Sequence, residues 1–132
     1  MSDFFHKLIS GDAILPPDPV QASLYRRFEN PTKVEWYLRD KCYEAVFYVN
    51  TREYLARFSQ DGELLDHKVN LTLDSLPARI LRSAGSRGEI MNAVAIHSGK
   101  DLRYEIIYRD EDLKRYLMLL DSNAAILSEK LL

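Results

Sequence analysis

Two stretches of this chain repeat one pattern, and that near-duplication limits the possible folds more than any other feature. They are residues 43–69, YEAVFYVNTREYLARFSQDGELLDHKV, and residues 104–130, YEIIYRDEDLKRYLMLLDSNAAILSEK. In the first, Tyr43, Ala45, Phe47 and Val49 fall on one side, as do Tyr54, Ala56 and Phe58. Period-two alternation with aromatic and β-branched residues predicts strands with one buried face. Asn50-Thr51-Arg52 predicts a short loop and Asp61-Gly62 a tight hairpin of type I′, which needs positive φ at both central residues. Leu64–Val69 completes three consecutive antiparallel strands.

The second stretch aligns position by position. Tyr43-Glu44 meets Tyr104-Glu105, Ala45 meets Ile106 and Phe47 meets Tyr108. After a loop one residue longer, Tyr54, Ala56, Phe58, Asp61, Gly62, Leu64 and Leu65 meet Tyr116, Met118, Leu120, Asn123, Ala124, Ile126 and Leu127. Inward positions keep their apolar character, and Asn123 is the residue expected to take the left-handed turn conformation. A repeat of roughly sixty residues follows.

The flanking segments complete each copy. Residues 1–18 read as a tail and linker, in which Phe4, Phe5, Leu8 and Ile9 can form a turn or two of amphipathic helix before Gly11 and Pro16-Pro17. Asp18 is a fitting N-cap and Pro19 a fitting first helical residue, with Val20, Leu24 and Phe28 as the buried stripe. Asn30-Pro31 stops that helix, and Lys33–Leu38 is a strand with Val34 and Trp36 inward. A second helix opens at Asp74-Ser75-Leu76-Pro77, capped by Asp74 or Ser75, and buries Leu76, Ile80 and Ala84. Ile90–Ile96 is the next strand. The order helix, four strands, helix, four strands predicts an α+β domain of two tandem α-β4 halves, residues 19–70 and 71–132, with a curved antiparallel sheet and helices packed on one face.

With these elements in place, the chain resembles the PepSY-like family of small bacterial proteins, whose fold is similar to that of the tandem-repeat β-lactamase inhibitor protein. The residues that carry the resemblance are Val34-Glu35-Trp36, Tyr43–Phe47, Tyr54–Phe58, Asp61–Leu65, Leu76-Pro77, Tyr104-Glu105-Ile106 and Leu117–Leu127. It covers residues 19–130 and rests on core and turn positions, so it implies a fold and, through the fold, binding or inhibition of another protein by the sheet. It carries over no catalytic residues. Members of the family look like exported periplasmic proteins. MSDFFHKLIS has no basic start followed by an apolar run, so the chain as written reads as cytoplasmic, or as periplasmic if it is a mature or trimmed form.

Composition narrows the function classes. Eighteen basic and 20 acidic residues give a net charge of −2, so the eight tyrosines and one tryptophan lack the basic groove that nucleic-acid stacking requires. No apolar run is long enough to insert in a membrane. His6, His67 and His97 sit in a tail, a strand and a turn, without the converging ligands a metal needs. Cys42 reads as a half-buried structural thiol. Glu44 and Glu105 are equivalent carboxylates that could serve acid–base chemistry, but read more simply as solvated strand residues. Asp110-Glu111-Asp112 lacks the alternation and glycine of a calcium loop. No catalytic residue, metal or cofactor is expected.

The outward sheet face stands out. Helices on one side should leave the other polar, yet Tyr37, Val46, Tyr48, Leu55, Ile107, Leu117 and Leu119 fall there among Glu35, Glu44, Arg57, Glu105 and Arg115. Such a face marks recognition of another protein or of a second copy, unless the N-terminal segment folds back over it. Tyr37, Tyr48, Leu55, Arg57 and Leu117 are the candidate partner-binding residues. The alternative is a small-ligand carrier, with its groove between the sheet and the N-terminal segment.

Overall fold

The computed structural model describes residues 4–9 and 11–132. The expected tail includes residues 1–3 and 10, which lie outside the described residues. The chain divides into two compact units, the first running to Val69 and the second from Asn70. Both are α+β, with meandering antiparallel strands beneath a helix.

Unit 1 comprises α1 (Phe4–Leu8), β1 (Asp12–Ala13), α2 (Asp18–Arg27), β2 (Thr32–Arg39), β3 (Cys42–Val49), β4 (Arg52–Phe58) and β5 (Leu64–Leu71). Each strand pairs with its sequence neighbour. Val20 and Leu24 of α2, one turn apart, are fully buried against Trp36, Ala45, Phe47, Ala56 and Phe58. The alternation of the strands supplies all five of these partners. Burial of side chains this size contributes about 1.5–3 kcal/mol each.

Local chemistry departs from expectation at the helix starts and turns. Asp18 lies inside α2 and makes no capping hydrogen bond; Pro17 is the N-cap, and the chain entering the helix is held instead by Gln21 Nε2 donating to the Pro16 carbonyl at 2.7 Å. The type I′ geometry falls at Asp40-Lys41, where both residues have positive φ (52° and 63°) between the paired Arg39 and Cys42. At Asp61-Gly62 only Gly62 is left-handed (φ 87°). The Gly62 amide donates to the Ser59 carbonyl, and a register shift follows between Arg57 and Phe58. This is a tight turn closed by a bulge, which adds one residue to the loop and so replaces the two-residue form.

Unit 2 comprises a short 3₁₀ turn (Leu73–Ser75), α3 (Ala78–Gly85), β6 (Glu89–Ser98), β7 (Asp101–Arg109), β8 (Arg115–Asp121) and β9 (Ile126–Leu131). Asp74 and Ser75 fall in the 3₁₀ turn and do not cap α3, which starts after Pro77. Leu76, Ile80 and Ala84 pack on Ala93, Ala95, Tyr104, Ile106, Tyr108, Met118 and Leu120. The β8–β9 turn has the geometry of the β4–β5 turn, with the Ala124 amide donating to the Asp121 carbonyl. Ala124, not Asn123, takes the left-handed conformation (φ 70°).

Candidate interaction surface

Strand pairing puts a continuous row of polar side chains across the face of unit 1 opposite α2. Tyr37 sits beside Glu44, Glu44 beside Arg57, and Arg57 beside Asp66. Arg57 grips Asp66 through both ends of its guanidinium, Nη2–Oδ2 at 2.7 Å and Nε–Oδ1 at 3.4 Å. That hydrogen bond raises the Arg57 pKa further and keeps the group charged. Tyr37 donates its hydroxyl to Glu35 Oε2 at 2.7 Å, a bond that raises its pKa, as does partial burial. Glu44 is 3% exposed and lies 3.5 Å from Arg39 Nε. Arg39 faces it as an ion pair, but Glu44 Oε1 makes no hydrogen bond, so the expectation of a solvated strand glutamate fails at Glu44, where strand pairing buries the carboxylate between Tyr37 and Arg57.

The neighbouring rows on the same face mix apolar and charged residues. Val46, between Glu35 and Leu55, is fully buried, and Tyr48, beside Glu53, is 5% exposed. Their cover is α1. The His6 ring stacks on the Tyr48 ring at 5.4 Å, nearly parallel, and Phe5 is 4% exposed. Glu53 fixes the segment. Its carboxylate, fully buried, accepts the Phe5 amide at 2.6 Å, the His6 amide at 3.0 Å and the His6 Nδ1. Two amides at the start of a helical turn have no intrahelical acceptor, and a carboxylate there is favoured by charge as well as by geometry. The expectation that helices share one face therefore holds for α2 and not for α1.

The chain then continues as β1 along the edge of β2, with Ile14 donating to the Trp36 carbonyl. Gly11 makes that path possible, because a Cβ there would lie 2.7 Å from the Leu38 carbonyl oxygen.

Leu117 belongs to unit 2. It lies on β8 between Ile107 and Lys130, half-buried, on the face opposite α3. Leu119 pairs with Glu105 on the same face. Of the candidate residues, the fold therefore brings Tyr37, Tyr48, Leu55 and Arg57 onto one face of unit 1 and places Leu117 on the corresponding face of unit 2. Tyr37, Leu55 and Arg57 are half-buried, whereas Tyr48 lies beneath His6. Glu53 is the residue sequence reasoning missed. Its one signal was a carboxylate at an outward strand position in a chain with adjacent phenylalanines at positions 4 and 5.

The remaining polar groups have structural settings. His67 packs edge-on to Phe28 at 5.2 Å and near Tyr54, and burial lowers the His97 pKa. Cys42 is half-buried. Among the described residues, no three histidine, cysteine or carboxylate side chains converge as a metal site. No described helix is long and apolar enough to cross a membrane. On the inner side of unit 2, Tyr108 donates to Glu129 Oε2 at 2.5 Å while Arg87 holds the other carboxylate oxygen at 3.2 Å. Burial and that hydrogen bond push the Tyr108 pKa up to about 12.

No family model matches the sequence, and no curated protein matches it. Solved structures do match the fold. A presumed periplasmic protein of Bacteroides eggerthii superposes with a TM-score of 0.81 at 20% identity, over 89% of this chain and 90% of that one. A DUF2874 family protein of Bacteroides uniformis gives a TM-score of 0.80 at 18% identity, over 89% and 90% of the two chains. A BLIP-like protein of Bacteroides fragilis gives 0.77 at 17%, over 90% and 88%. The chain therefore has the fold of the BLIP-like and DUF2874 proteins.

Proposed function

We propose that the chain is a non-enzymatic binding module that recognises, or inhibits, another protein through the strand faces opposite α2 and α3. Tyr37, Tyr48, Leu55 and Arg57 form the recognition surface in unit 1, and Leu117 is the recognition residue on the strand face of unit 2. The observation that carries this reading is the packing of α1. The face of unit 1 already holds a polypeptide segment, by an aromatic side chain, a stacked ring and a buried carboxylate that accepts two backbone amides. A face built this way binds protein. Phe5 occupies the place where a carrier would need an apolar groove, which favours protein over small-ligand recognition.

The BLIP-like neighbour is consistent with this reading, since its name refers to an inhibitor protein, and the presumed periplasmic neighbour suggests the same compartment here. The two halves, residues 19–70 and 71–132, are then tandem copies of one α-β4 element of the PepSY-like kind.

The test is an affinity capture made in parallel with wild-type protein and with Tyr37→Ala, Arg57→Ala and Leu117→Ala. A protein held by wild type and lost, by about tenfold or more in affinity, in these variants supports the reading, because truncating an interface hot spot costs about 2 kcal/mol or more. Unchanged affinity in all three, with folding intact, contradicts it.

A further inference from the structure

Unit 1 carries a helix on each face, and the two differ in how firmly they are built. Its inner face is held by α2, which buries Val20 and Leu24 completely. Its outer face is held by α1, five residues long, which buries Phe5 and leaves Leu8 62% exposed. The connection is equally light. β1 has two exposed residues, and Ile14 and Leu15 beyond it are exposed. A helix of five residues has no stability of its own in water and exists only while docked. What specifies the docking is a small set of groups: the Glu53 carboxylate and the Tyr48 ring.

We infer that this face is a docking site for a short helical segment that leads with an aromatic residue followed by a hydrogen-bond donor, and that α1 is its resident occupant, able to leave as a unit and be replaced by a segment of the same chemistry from a partner. This rests on the proposed binding function and states what the partner presents in unit 1: two free amides at the start of a helical turn for Glu53, an aromatic side chain, and a flat donor ring for Tyr48. The role of Glu53 is selective. A carboxylate with no solvent exposure rejects an occupant that brings no donors, because its charge would be left buried and unpaired. While α1 is bound, its tether keeps its local concentration high, so a competing segment must bind well or arrive where the tether is weakened.

The experiment uses the full chain. Amide hydrogen exchange followed by NMR compares Phe5 and His6 with Phe47 and Ala56 in the strands beneath. Release of α1 as a unit gives protection at Phe5 and His6 that is real but at least about 100-fold lower than at Phe47 and Ala56. Glu53→Gln then lowers protection at Phe5 and His6 by a further ~10-fold and leaves the strand amides within about threefold.

The replacement step is read with a fluorescent peptide of sequence 1–15 added to full-length Gly11→Val, whose side chain meets the Leu38 carbonyl and loosens the tether. The peptide binds this variant, and binding falls at least about tenfold when Glu53→Gln is added or the peptide carries Phe5→Ala. Exchange of Phe5 and His6 only together with Phe47 and Ala56 would overturn the inference, as would a Gly11→Val chain with exposed α1 amides that does not bind the peptide. Either failure leaves the wider binding function standing if Arg57→Ala and Leu117→Ala still lose a captured protein. Loss of that function instead shows as unchanged capture in those variants, whatever α1 does.

Discussion

From α2 onward unit 1 runs through one helix and four strands, as unit 2 does from α3, yet the two units treat their outward faces differently. In unit 1 the strand position before Tyr54 is Glu53, buried and bound to the start of α1. In unit 2 the position before Tyr116 is Arg115, which is exposed. A guanidinium cannot accept an amide hydrogen, so this position in unit 2 is unsuited to a helix start and suited to a carboxylate. Glu53 and Tyr48, paired across β3 and β4, stand where unit 2 pairs Arg115 with Arg109, and these differences separate a face that holds its own chain from one that does not hold a segment in that way. The turns teach a second lesson. Gly62 and Ala124 occupy the same left-handed position, but the glycine approaches the Pro19 carbonyl, where a Cβ would stand 3.1 Å from the oxygen. Unit 1 uses the missing side chain to seat α2 closely, and unit 2 tolerates the strained alanine.

The comparison can be broken first at the cores. Leu24→Ala and Ile80→Ala each remove a fully buried anchor, one per unit, and are expected to cost about 2–5 kcal/mol in urea denaturation. Residue-resolved amide exchange should show the loss centred on unit 1 for the first and unit 2 for the second. The next largest effect sharpens the contrast at the outer face. Glu53→Arg leaves two amides without their acceptor and places a cation beneath α1, costing about 2–3 kcal/mol. The reciprocal Arg115→Glu changes an exposed residue and should stay within about 0.5 kcal/mol. Similar costs for both would erase the proposed difference. Third, Ala124→Gly should stabilise the protein by about 1 kcal/mol, and Gly62→Ala should destabilise it by at least as much, because the left-handed region penalises Cβ. Thermal melts of the pair check the signs.

The smallest effect is a pH dependence. Tyr108 has its pKa raised from 10.0 to about 12 in the folded chain, so its contribution to stability is complete below pH 10 and is lost as pH rises toward about 12. Denaturation in that window should show a steeper fall for wild type than for Tyr108→Phe. Equal slopes would remove Tyr108 as the cause.

Much of this fold was legible because its strands have one buried side. Alternation placed Ala45, Phe47, Ala56 and Phe58 inward, and the same spacing found Tyr104, Ile106, Met118 and Leu120. The stripes Val20–Leu24 and Leu76–Ile80–Ala84 identified both packing helices. The misreadings are local or tertiary. Proline directly before α2 and before α3 displaced the side-chain caps assigned to Asp18, Asp74 and Ser75. The turn at Gly62 absorbed an extra residue through a bulge, which composition does not reveal. The docking of α1 depends on Glu53, 48 residues away from Phe5, and no local pattern encodes a contact at that separation. Tyr48 was assigned to an outward surface correctly by strand parity, while its cover by His6 could come only from the folded chain.

The claim most in need of a direct test is that α1 is a cover over a recognition face, held by Glu53. Hydroxyl-radical footprinting of the full chain, read by mass spectrometry at Tyr48 with Tyr25 as the exposed control, measures this. Wild type should show Tyr48 strongly protected and Tyr25 reactive, matching their exposures of 5% and 58%. Glu53→Gln should raise Tyr48 labelling several-fold, by about 3-fold or more, and leave buried Phe47 and Phe58 protected. Tyr48 as protected in the variant as in wild type would contradict the claim and make α1 a fixed part of the unit 1 fold.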